Sequence, residues 1–159
     1  MKIVVADVPP NVGSLYPEPY DAPCLTRERR RLGDVAGLTQ FGVNLLTLPP
    51  GVWSSQRHWH TESDELVYVL EGEVTLAGEH GSEILRAGDA AAFKAGDTNA
   101  HCLKNHTQAR AVVLEVGSRV PSDAVHYPGI DLYCPPEGKP ALFTHRDGTP
   151  YPNRRRGPT

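Results

Sequence analysis

In the stretch RHWHTESDELVYVLEG, residues 57–72, two histidines stand one residue apart, with acids just behind them. Neutral imidazoles and a carboxylate are the borderline donors that suit a divalent transition metal. On a β-strand side chains alternate, so His58 and His60 emerge on one face about 6.5 Å apart along the chain, and Trp59 points the other way. Such pairs also occur on ordinary polar strands, so this one gains meaning only from its neighbours in the chain. After the polar turn TESD the chain resumes at Glu65, and a strand running back sets that carboxylate beside the imidazoles. An acid opening the apolar run ELVYVL is costly to bury unless it is paired or ligating. Glu62 and Asp64 read as solvated turn acids. Farther on, HCLKN brings His101 from another strand.

Two or three imidazoles and one carboxylate suit Fe, Mn, Co, Ni or Zn, one divalent ion per chain, and a six-coordinate ion keeps two positions open for chemistry. Counting by twos puts Ser54 and Gln56 on the face of His58, Val67 and Val69 with Glu65, and Leu103 and Asn105 with His101. Gln56 is the candidate positioning group. None of these inward positions is Lys or Arg, which counts against a phosphorylated sugar, since a phosphate calls for cationic partners. Lys94 and Arg110 read as solvated charges near possible barrel mouths. His80, His106, His126 and His145 have no ligand-spaced partners, although His145, in THRDGTPY, reaches a substrate if the tail folds over the pocket.

The elements that must position these residues read as strands. Between residues 38 and 118 short apolar or alternating runs are cut by turn residues, the pattern of a meandering antiparallel sheet and an all-β domain. The 15 glycines and 15 prolines in 159 residues agree with a turn-rich fold. LTRERRRL, residues 25–32, reads as a short helix or, better, as an exposed charged arm or edge strand. The organisation expected is an N-terminal arm (1–37), a barrel (38–118) and a partly irregular C-terminal extension (119–159). The outer face of ELVYVLEG is also apolar, with Leu66, Tyr68 and Leu70, and Trp59 adds to it. Either the extensions or a second copy of the chain must cover that face, and a homodimer is expected.

Composition narrows the partners. A net charge of −3 gives no attraction for nucleic acid or an anionic membrane, and the basic run Arg154–Arg156 reads as a solvated end. No apolar stretch approaches the roughly 20 residues of a membrane span, and MKIVVADVPP is too short for a signal peptide. Cys24, Cys102 and Cys134 form no CxxC pair and no even disulfide set, which fits a reducing, cytoplasmic compartment.

The motif spacing carries a family resemblance. Gly51, six residues, His58, one, His60, four, Glu65, six, Gly72 resembles the first motif of the cupin superfamily. Gly88, five residues, Lys94-Ala95-Gly96, four, His101, three, Asn105 is similar to the second, with Lys94 where proline is usual and a longer turn to His101. The resemblance covers about residues 38–118. It implies a double-stranded β-helix, or jelly-roll, barrel in which His58, His60, Glu65 and His101 hold the metal, and it agrees with a dimer. GLTQFGVNLLTLPPGVWSSQRHWH and FTHRDGTPY resemble a group of single-domain bacterial cupins, some labelled sugar-phosphate-isomerase-like. The function implied is a metal-dependent enzyme on a small organic molecule, of oxygenase or isomerase/lyase type, with no general base evident. The alternative is a non-catalytic module that binds or senses a small molecule.

Overall fold

Glycine and proline cut the chain into short strands: β1 (Asn11–Val12), β2 (Glu28–Arg31), β3 (Phe41–Leu48), β4 (Trp59–His60), β5 (Glu65–Glu71), β6 (Glu73–Ala77), β7 (Ser82–Arg86), β8 (Ala90–Phe93), β9 (Cys102–Lys104), β10 (Ala111–Ser118), β11 (Val125–His126) and β12 (Tyr133–Cys134). The computed structural model describes residues 1–152, so the run Arg154–Arg156 lies outside the described residues. The only α-helical turn among them is Leu32–Val35. No helix among them is long and apolar enough to cross a membrane.

One wall is an antiparallel sheet in the order β1-β2-β3-β10-β5-β8. The other joins two three-stranded ladders, β12-β11-β4 and β9-β6-β7, through the bridge between His58 and His101, whose backbones exchange hydrogen bonds of 3.0 and 2.9 Å. The alternation read from the sequence sets the contents of the space between the walls. Leu46, Val113 and Val69 come into register on β3, β10 and β5 and are fully buried, as are Leu48 and Val74. Each such side chain contributes about 1.5–3 kcal/mol by leaving water. The β5–β6 reversal needs a residue without Cβ. Gly72 has φ +77°, and an added Cβ would meet the Arg110 carbonyl oxygen at 2.7 Å. The all-β jelly-roll architecture is therefore present.

The charged stretch after Leu25 is neither helix nor edge. Glu28–Arg31 forms β2, flanked by β1 on one side and β3 on the other. Arg29 pairs with the buried Leu46 and Arg31 with Asn44, so both arginines share the inward face. A second apolar cluster, with Tyr16, Cys24, Tyr127, Leu132 and Phe143 at its centre, joins the segments before and after the barrel strands. Trp59 is covered by His126 of β11, stacked at 4.3 Å. Leu66, Tyr68 and Leu70 are covered by neither terminal segment among the described residues and stay 42%, 39% and 47% exposed.

Candidate metal centre

Short β4 presents His60 and the residue before it, His58, while β5 opens on Glu65 and the residue before β9 is His101. Their functional atoms converge. Glu65 Oε2 lies 3.5 Å from His58 Nε2, 3.5 Å from His60 Nε2 and 3.1 Å from His101 Nε2. His58, His60 and Glu65 each offer one donor atom within 4.8 Å of the others, a group that could hold a metal ion. No Arg or Lys pairs with Glu65 among the described residues, so the carboxylate is not diverted into an ordinary salt bridge.

The ring nitrogens turned away from the cluster fix two of the imidazoles. His58 Nδ1 lies 2.9 Å from the Gln56 carbonyl and 3.3 Å from Ser55 Oγ. His60 Nδ1 lies 2.5 Å from Asp123 Oδ2. His101 is held instead by Phe93, stacked 2° from parallel at 3.3 Å, and its buried Nδ1 has no hydrogen-bond partner among the described residues. An imidazole whose Nδ1 donates to oxygen leaves Nε2 with its lone pair free, the state a metal requires.

Charge follows from the same contacts. Burial opposes the ionised form of Glu65, but hydrogen bonds and charge from His101, His58 and His60 outweigh it and hold the carboxyl well below the usual range. Burial pushes His101 down, favouring its neutral ring. For His58 burial acts the same way and Glu65 overcomes it, so its pKa is raised. With three imidazoles around one carboxylate, the donor set fits a divalent ion of nitrogen preference.

A cavity of about 430 Å³ opens onto His58, Glu65 and His101. Val67 and Leu103 line it as the alternation implies, Ser54 lines it too, and Val69 lies deeper in the fully buried core. Gln56 does not line it. Residues Ser54–Arg57 bend rather than continue as a strand, which breaks the count by twos, and the Gln56 amide donates to the Tyr20 carbonyl at 2.6 Å. Asn105 is likewise spent on backbone, donating to the Leu48 and Ala109 carbonyls at 2.8 and 2.7 Å. His145 pairs with Asp131 at 2.7 Å and stacks on Tyr151, away from the cavity lining.

The cavity also holds charge beyond the positions counted inward from His58, Glu65 and His101. Arg27, Arg29, Arg31 and Arg119 line it, correcting the expectation of a pocket without cations. Glu115 of β10 lines it too and takes the fork of Arg29 at 2.7 and 2.9 Å. The signal for Glu115 was present: it stands two residues beyond the inward Val113 in ARAVVLEV, and the same count by twos finds it. Asp123 had no such signal, since it lies after the barrel strands in an irregular segment.

Comparison with known proteins agrees with this geometry. The family model described as a cupin domain matches residues 44–117. A structure from Silicibacter pomeroyi, described as a sugar phosphate isomerase from a cupin superfamily, is 41% identical over 96% of this chain and 97% of that one, with a TM-score of 0.89. A structure from Acidithiobacillus ferrooxidans, named provisionally for the same activity, is 28% identical over 82% of this chain and 83% of that one, with a TM-score of 0.71. A polyketide cyclase from Streptomyces resistomycificus, 22% identical over 82% of this chain and 86% of that one, shares the fold with a TM-score of 0.65. No curated protein matches. On its fold, its motif residues and its likeness to the S. pomeroyi protein, this chain belongs to the cupin superfamily.

Proposed function

We propose that this chain is a metal-dependent enzyme acting on a small organic molecule in the barrel cavity, of the isomerase or lyase type. One observation carries the reading: His58, His60, Glu65 and His101 converge, and three of them, His58, Glu65 and His101, line a cavity that also contains Glu115, a carboxylate not used as a ligand. The four would hold one Fe, Mn, Co, Ni or Zn ion per chain, which when bound supplies Lewis acidity toward a carbonyl oxygen. Glu115 is the candidate for moving a proton. The Arg29 fork fixes its orientation, and Asn44 Nδ2 approaches its Oε2 at 3.4 Å. Val67 and Leu103 give the cavity apolar walls that exclude water from the reacting centre. The description of the S. pomeroyi relative accords with carbonyl isomerisation. The working form is a cytoplasmic homodimer.

The test is elemental analysis of natively expressed protein without a histidine tag, followed by carbonyl-isomerisation and oxygen-consumption screens. One metal per chain with isomerisation activity that Glu115→Gln abolishes supports the reading. Oxygen consumption without isomerisation transfers it to an oxygenase. Metal at one per chain with no turnover on a broad panel favours a non-catalytic binding or sensing module.

A further inference from the structure

Four arginines, Arg27, Arg29, Arg31 and Arg119, share the cavity with three acids, Asp34, Glu65 and Glu115. The acids are taken. Asp34 pairs with Arg119 and, at 3.6 Å, with Arg31. Glu115 receives Arg29, and Glu65 faces the three imidazoles. Arg27 is left over.

Arg27 is only 8% exposed, and both of its hydrogen bonds end on neutral carbonyls, Nε on Gly13 at 3.1 Å and Nη1 on Ser54. Its guanidinium lies 5.6 Å from the centre of the Tyr16 ring. Among the described residues no carboxylate comes within ion-pair distance of it. Burial and the like charge of Arg29 both act against its charged form. A guanidinium withdrawn from water into the company of dipoles alone is costly, and an anion entering the cavity relieves that cost. Nη2 of Arg27 and Nη1 of Arg29 have no protein acceptor among the described residues, and both side chains line the cavity. The path to the histidines is short. Ser54 accepts from Arg27, its hydroxyl meets Ser55 Oγ at 3.2 Å, and Ser55 Oγ meets His58 Nδ1 at 3.3 Å.

Resting on the reading of this cavity as the site of a metal enzyme, we infer that Arg27, helped by the free edge of Arg29, receives an oxyanion, carboxylate or phosphate, carried by the substrate. The substrate is then a small organic anion, its charged end on β2 and the segment before it and its reactive end at the histidine cluster. A planar guanidinium with unused donors is suited to such groups.

The test uses the full chain loaded with Zn(II) and labelled with ¹⁵N, titrated with inorganic phosphate and separately with malonate while the arginine Nε–Hε signals are followed. Arg27 and Arg29 are expected to shift saturably with at least one probe, and the exposed Arg110 to stay still. The preferred probe tells phosphate from carboxylate. In Arg27→Gln the binding weakens tenfold or more, and in Arg27→Lys it falls between the two, with zinc per chain unchanged in both. Absence of a saturable shift in the wild type overturns the inference, as does unchanged binding in a folded Arg27→Gln; zinc uptake at one per chain in those samples leaves the metal-enzyme reading standing. A wild type that binds the anion at Arg27 but takes up no zinc supports the anion site and removes the metal reading instead.

Discussion

His60 and Asp123 are 63 positions apart in the chain, yet His60 Nδ1 and Asp123 Oδ2 are 2.5 Å apart. Asp123 also accepts from the Glu62 and Ser63 backbones at 2.8 and 3.2 Å, so one carboxylate ties the β4–β5 turn to the segment before β11 and sets the rotation of a candidate ligand. Asp123→Ala is expected to weaken metal binding about 10- to 100-fold, the usual effect of losing a group that orients a ligating histidine. Chelator competition measures it. Binding within twofold of wild type would show that His60 needs no such partner.

Glu65 is the one anion among the four donors. Glu65→Gln keeps the shape and removes the charge, and metal content is expected to fall from about one per chain to near zero. Stripping the wild type with a chelator is expected to lower its thermal stability, by about 2.7 kcal/mol where free metal had stood at 100 times Kd. Calorimetry with and without chelator reads this, and Glu65→Gln should show no chelator effect.

The exposed triad Leu66, Tyr68 and Leu70 lies on the outer face of the six-stranded sheet. Leu114 and Val116 of β10 come into register beside Tyr68 and Leu66, which widens the apolar face across strands. Two copies meeting there would bury such a face from both sides, and a stable interface needs roughly 800 Å² from each partner. Sedimentation is expected to give twice the mass of one chain, and Tyr68→Glu to give a single-chain mass with metal content unchanged. A wild type that sediments as one chain excludes the dimer.

Asp34 shows how acid should act on the arm. The hydrogen bond from Arg119 holds its carboxyl below the ordinary value; burial opposes it, and the charges of Arg119 and Arg31 add to the lowering. A folded pKa below the unfolded one gives stability that is present above the unfolded value, near pH 4, and is lost as pH falls through the folded value. The pair is exposed, so the effect at neutral pH is about 0.2–1 kcal/mol. Asp34→Asn is expected to destabilise by that much at about pH 7 and by almost nothing at about pH 2, as read by urea unfolding at both.

The residues that could be read from the sequence were those whose geometry is local. His58 and His60 share a strand face by alternation, Glu65 begins the next strand, and His101 falls at the spacing of the second motif. Gln56 was placed with them by extending the same count into residues 54–57, where the backbone bends and alternation no longer applies. Arg29 illustrates the opposite failure. The charged stretch reads as an arm or edge strand, but that β1 pairs on one side of it and β3 on the other, so that Arg29 turns into the cavity, comes from hydrogen bonding across the chain, which no local pattern encodes. The contribution of Asp123 is likewise tertiary. The apolar outer face of β5 was legible, because alternation there runs from Glu65 to Leu70 without interruption.

Because β2 is sewn between β1 and β3, the opening quarter of the chain is no detachable tag. A fragment trimmed to the span that matches the family model would keep the four donor residues and lose one side of the vessel around them. It would also leave the backbone of β3 bare along one side, a template on which other fragments could stack into insoluble sheets.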